Sequence, residues 1–199
     1  MKPGPPGYVW DQGRYRVLRP DGRAGARVSS TSIVENIRSM HQAEAELFQD
    51  VMRGYYDGEL DLVVVQYAIQ SELKTLHLAM AALAVGGWNQ VDSGVNQRTE
   101  AGLRKEFRYL ANLLTEVRAA TVTQEHVIDR IALYADGGFG RYWQETDNVK
   151  RKHGYTRERV ITYPKACTIC LAAEAAGWVP IGTYFVPIHL SCRCEKEYS

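Results

Sequence analysis

Apolar residues recur every three or four positions through the middle of the chain, and this spacing divides it into helices. Ile33, Ile37, Met40, Leu47 and Val51 share one helical face. Ser32 and Glu35 form the S-x-x-E pattern of a capping box, which predicts a start near Ser32. Asp57-Gly58 breaks this helix. The second is expected from about Leu60 to Val85, with Leu62, Val65, Ile69, Leu73, Leu76, Met80 and Leu83 inward and Gly86-Gly87 as its stop. Leu103, Phe107, Leu110, Leu114 and Val117 predict a third over roughly Arg98 to Ala120. Thr123 is placed to cap a fourth, carrying Val127, Ile131 and Tyr134 inward. Gly137-Gly138 is expected to interrupt it before a helical segment resumes over Tyr142 to Lys152.

Beyond His153-Gly154 the period changes. Val160 and Thr162, Trp178-Val179-Pro180-Ile181 and Tyr184-Phe185-Val186 look like short strands. At the other end, Pro3-Gly4-Pro5-Pro6-Gly7 cannot sit inside a helix or a central strand. An extended arm rich in Pro, Gly, Arg and aromatic residues is expected, lying on its own body or on a neighbour. The predicted fold class is therefore mainly α. It comprises an arm over 1–30, a helical bundle over 31–153 and a small β subdomain over 154–199.

Composition narrows the function classes. The chain has 199 residues, 45% of them hydrophobic, enough for one domain with a real core and a small appendage. A net charge of +1 argues against a general nucleic-acid binder. No run of about 18 apolar residues suggests a membrane span, and Met1 to Tyr8 lacks the apolar region of a secretory signal. The chain is thus expected to fold in a reducing cytoplasm.

All four cysteines lie between 167 and 194. Cys167-x-x-Cys170 is followed by His189-x-x-Cys192-x-Cys194. Clustered thiols in a reducing compartment favour a metal over disulfides. A C-x-x-C turn offers two thiolates to one ion, and a second short-spaced set completes a tetrahedral zinc shell. Five candidates, Cys167, Cys170, His189, Cys192 and Cys194, compete for about four places. Cys167 and Cys170 are the safest, and the odd one out falls among the other three. Two disulfides, or buried free thiols, are the alternatives. A catalytic zinc needs an open position and a general base. Glu174 and Glu195 are near in sequence, but neither stands in an H-E-x-x-H motif, and the deaminase H-x-E…P-C-x-x-C signature is missing. No phosphate-binding loop, nucleophile elbow or dinucleotide fingerprint occurs either. The expectation is no catalytic residue and a structural zinc.

Lys150-Arg151-Lys152-His153, with Arg157 and Arg159, is the strongest basic run and reads first as a solvated helix end. It also leaves room for a zinc-ribbon nucleic-acid or regulatory module. His77 reads as a satisfied interfacial histidine, and His41 and His126 lack a partner at helical spacing.

The C-x-x-C…H-x-x-C-R-C ending, after Arg159-Val160-Ile161-Thr162, resembles the C-terminal segment of the Mu-type minor head (head morphogenesis) proteins of tailed bacteriophages. Thr168 and Leu190 stand where that family often has Pro. A broader resemblance, to small phage virion proteins, covers nearly the whole chain. It rests on Trp10-Asp11, Arg14-Tyr15-Arg16 and Gly22-Arg23 in the arm, Gly58-Glu59-Leu60 at a helix start and the stretch Lys74 to Ala79. It continues in Gly177-Trp178-Val179-Pro180-Ile181-Gly182 and in Cys192-Arg193-Cys194 with Glu197-Tyr198. The resemblance implies a structural component of a virion, at the head or its portal vertex, acting through protein contacts. Its partners would be portal, capsid or neck subunits and copies of itself, with Tyr8, Trp10, Arg14, Tyr15 and Arg16 as arm contacts.

Overall fold

The computed structural model describes residues 8–11, 14–21, 23–27, 30–163, 166–186 and 194–199. The arm residues in this set form three strands, β1 (Tyr8–Asp11), β2 (Arg14–Leu18) and β3 (Ala24–Arg27). They pair antiparallel in the order β1-β2-β3, with Tyr8 opposite Val17 and Asp11 opposite Arg14. The backbone is extended, as the composition suggested, and its strands bond to one another. Aromatic and β-branched residues in β1 and β2 favour pairing of the two strands over a lone strand.

Five helices follow: α1 (Ser30–Tyr56), α2 (Leu62–Val85), α3 (Ser93–Arg118), α4 (Gln124–Ala132) and α5 (Tyr134–Lys152). The capping logic holds where polar residues can reach the free amides of a first turn. Asp92 accepts from the Val95 amide at 2.8 Å and Thr123 from the His126 amide at 3.3 Å. The third helix thus begins five residues before the expected Arg98. Gly86 closes α2 in the left-handed region (φ 97°), and the amides of Gly86 and Gly87 return to Leu83 and Ala82. Val65, Ile69, Leu73, Leu76 and Met80 of α2 are fully or nearly fully buried, so this helix is the centre of the core. Phe48, Met52, Leu110, Leu113, Val127, Ile131, Phe139 and Trp143 close around it.

Gly137 and Gly138 do not interrupt a helix: α5 runs straight through them, and the break falls at Leu133. The two glycines serve close packing instead. A Cβ on Gly138 would stand 2.5 Å from Leu76 Cγ, and one on Gly137 would stand 2.3 Å from Glu106 Oε1. His77 Nε2 lies 3.0 Å from Glu106 Oε2, and His41 Nε2 lies 2.6 Å from Asp136 Oδ1. His41 therefore has a partner after all, supplied by α5 from far along the chain.

A groove between α1 and α2 holds one misplaced charge. Glu44 lines it with Met40, Leu47, Leu76 and Ala79, and its Oε2 is buried with no hydrogen-bond partner among the described residues. Burial, and then the nearby Glu72, push its carboxyl up to about 7. A carboxyl raised above its unfolded value favours the folded state below pH 4.5, and that advantage is lost as pH climbs through about 7. Glu44→Gln is therefore expected to match the parent in urea melts at pH 4 and to exceed it at pH 8. Equal stability of the two proteins at pH 8 would rule the account out.

The C-terminal part is a second antiparallel sheet with a helix beside it. Strand β4 (Arg157–Ile161) is central, between β5 (Val179–Pro180) and β6 (Glu195–Tyr198). The helix α6 (Thr168–Ala175) lies against β4. The strand expected over 184–186 does not form, because this stretch turns back toward the helices and buries Val186 in the main core. No helix among the described residues is long and apolar enough to cross a membrane.

Candidate metal centre

Cys167 is the N-cap of α6 and Cys170 sits in its first turn, so the C-x-x-C motif opens a helix. A helix N-terminus favours negative charge, which suits thiolates. Cys194 arrives from the other side, just before β6. Cys170 and Cys194 are buried and share a small cluster with Val160 and Ala173, while Cys167 is exposed at its edge. Three of the five expected ligands thus come from the two elements that flank β4. His189 and Cys192 lie outside the described residues. Among the described residues no group of three or more His, Cys, Asp and Glu side chains is gathered as a metal shell. A four-ligand shell drawn from the five candidates would therefore take at least one member from His189 and Cys192. The donor chemistry fits a structural zinc: soft sulfurs, two of them buried, on a subdomain with little apolar core of its own.

The carboxylates nearest in sequence have other tasks. Glu174 accepts from the Thr162 amide at 3.0 Å and from the Thr162 hydroxyl at 2.6 Å, and these bonds hold its carboxyl below the usual range. They tie α6 to the end of β4. Glu195 accepts from Arg38 Nη2 at 2.8 Å and from the Tyr163 hydroxyl, and the Arg38 guanidinium stacks 4.1 Å from the Tyr163 ring. This joins the sheet to α1.

Beneath the sheet lies an ionic network that the sequence reading missed. Cys194, Lys196 and Tyr198 alternate along one face of β6, and Lys196 points inward with its side chain 1% exposed. Its Nζ donates to Asp147 Oδ2 at 2.8 Å and to Glu158 Oε2 at 2.9 Å. Glu158 is fully buried, and its other oxygen accepts from the Tyr184 amide at 2.8 Å. The Tyr198 hydroxyl donates to Asp147 Oδ1 at 2.8 Å, and burial beside that carboxylate pushes the phenol up. Burial likewise raises Asp147, against the pull of Lys196. The only signal was the period of two that puts Lys196 on the same face as Cys194 and Tyr198.

The basic run closes α5: Lys150, Arg151 and Lys152 occupy its last turn. Arg151 donates to the Ile181 carbonyl at 2.6 Å, Arg157 to the Trp178 carbonyl at 2.6 Å and Arg159 to Glu197 at 2.8 Å. Lys150 stands over the Tyr155 and Tyr198 rings. Of the expected arm contacts, Tyr8 and Trp10 fall in β1, and Arg14, Tyr15 and Arg16 in β2. Arg16 Nη1 donates to the Gly25 carbonyl at 3.3 Å, and the side chains of the other four lie outside the described residues.

The chain matches no protein-family model, no curated protein and no solved structure.

Proposed function

We propose that this chain is a structural subunit of a tailed-phage virion, a minor head protein at the capsid or portal vertex, which works by binding and carries out no reaction. The observation that carries the reading is the order of parts: a strand-forming arm, a helical body and a cysteine-bearing terminal sheet tied to that body by Arg38–Glu195 and Lys196–Asp147. The same order underlies the resemblance to phage head and virion proteins. Zinc serves here as a clamp that holds the C-terminal end, with Cys167 and Cys170 joined by two of His189, Cys192 and Cys194. Partners are other virion subunits and copies of the chain. The start of α2 offers a contact surface, since Val63 and Tyr67 are 70% and 76% exposed.

A zinc-ribbon nucleic-acid module is the competing reading. It draws on the basic run at 150–159, where Arg151, Arg157 and Arg159 already hold bonds within the fold. The arm provides the test. Deleting residues 1–28 is expected to leave a folded, zinc-bound monomer that fails to join particles. Normal incorporation of the truncated chain would remove the arm from assembly.

A further inference from the structure

Helices α3 and α5 and the turn at 182–185 border an open cleft of about 480 Å³ that the proposed function leaves unused. Three arginines line it: Arg98 from α3, and Arg141 and Arg151 from α5. Only two carboxylates, Glu145 and Asp147, share the lining, while Glu106 and Asp92 act on Arg141 and Arg98 from outside it. Arg98 holds Glu145 in a two-pronged grip, Nε to Oε1 at 2.9 Å and Nη2 to Oε2 at 2.7 Å, and the Glu145 side chain is fully buried. Arg141 reaches the same carboxylate only at 3.6 Å, beyond hydrogen-bonding distance. Its Nε has no hydrogen-bond partner among the described residues, although Arg141 is only 7% exposed. The other carboxylate in the lining, Asp147, is taken by Lys196 and Tyr198. A buried cation without a full partner is costly, and burial pulls the Arg141 guanidinium down from its ordinary value.

The chain also makes room for these side chains. A Cβ on Gly102 would stand 2.0 Å from Arg141 Nη2, and one on Gly182, which has φ +89°, would stand 2.2 Å from Arg151 Nη2. Arg151 is further fixed by its bond to the Ile181 carbonyl. Glycines on two separate elements thus accommodate two guanidinium heads in one cleft.

We propose that this cleft binds a phosphoryl group, with Arg98, Arg141 and Arg151 as cationic contacts and Gln144, Asn148 and Thr183 as neutral ones. A carboxylate is planar and is satisfied by a single guanidinium fork, as Glu145 is by Arg98. Guanidinium groups from two helices around one cavity suit a tetrahedral oxyanion, whose oxygens accept from several directions. The phosphoryl group is shared by free phosphate, phosphate monoesters and the nucleic-acid backbone.

Calorimetric titration of the full-length, metal-loaded protein separates these sources. The probes are inorganic phosphate, a short single-stranded oligonucleotide and citrate. Saturable binding of phosphate, of the oligonucleotide or of both is expected. Arg151→Gln should weaken it roughly tenfold, the size of one lost charge-assisted contact. Lys152→Gln, one residue on and outside the lining, should leave it within about twofold. Circular dichroism shows whether each variant is folded. Phosphate alone competing points to a free anion, and displacement of phosphate by the oligonucleotide points to a backbone; both support the site. Absence of saturable binding by either phosphoryl probe, tighter binding of citrate than of phosphate, or equal loss in the two variants would overturn it.

Discussion

If the proposed zinc is bound, stripping it with a chelator is expected to unfold α6 and free the Cys194 end of β6, leaving the helices of 30–152 standing. The cluster around the cysteines contains four buried residues, Val160, Cys170, Ala173 and Cys194, and two of these are the proposed ligands. So small a core offers only a few kcal/mol, about 1.5–3 for each large apolar side chain buried. A structural zinc contributes on the order of 10 kcal/mol in small metal-dependent domains. Removing it should therefore unfold α6 and free β6 at its Cys194 end, while Phe48, Ile69, Leu73 and Leu110 keep the bundle closed. Far-UV dichroism should fall by little, and hydrogen exchange should rise over 166–176 and next to Cys194. Cys170→Ser should have the same effect without a chelator. Unchanged exchange in these segments after full chelation would show that the metal does not hold them.

Replacing Lys196 by Met is expected to destabilise the protein by about 3–5 kcal/mol, the usual cost of removing one partner from a buried ion pair. Asp147 and Glu158 would then be left facing each other with no cation, in a site where Lys196 is 1% exposed and Glu158 0%. The loss should be greater at pH 8 than at pH 4, because burial already raises Asp147 and a protonated carboxyl there needs no counter-charge. Glu158→Gln in the Lys196→Met background should recover part of the loss, and the double-mutant cycle gives the coupling. A loss below about 1 kcal/mol at pH 8 would mean that water reaches the network and that the sheet does not depend on it for its seat on α5.

These two expectations concern the same junction, and the sequence revealed its two sides unequally. Helices with a clean three-and-four period, such as α2, were readable because one apolar stripe decides them. Their ends followed capping residues where these were strong, as at Thr123 and Gly86, and drifted where Asp92 went unnoticed. Gly137-Gly138 misled because local propensity says break, whereas packing against Leu76 and Glu106 rewards the missing Cβ. The cysteine spacing marked the candidate metal site but not its scaffold, since Thr168–Ala175 is helical where a tight turn was expected. The ionic network was hidden for a general reason. Lys196, Asp147 and Glu158 are distant in sequence and each reads as surface charge, so only the tertiary pairing of β6 with β4 over α5 shows them to be buried together. The same holds for His41 with Asp136.

The proposed metal clamp draws its four ligands from Cys167, Cys170, His189, Cys192 and Cys194, with the odd one out among the last three. Elemental analysis of the purified native chain, paired with thiol titration before and after denaturation in chelator, tests it most directly. One zinc per chain, with thiols that become reactive only once the metal is removed, is the predicted result. No stoichiometric metal and four thiols that titrate freely in the native protein would contradict it.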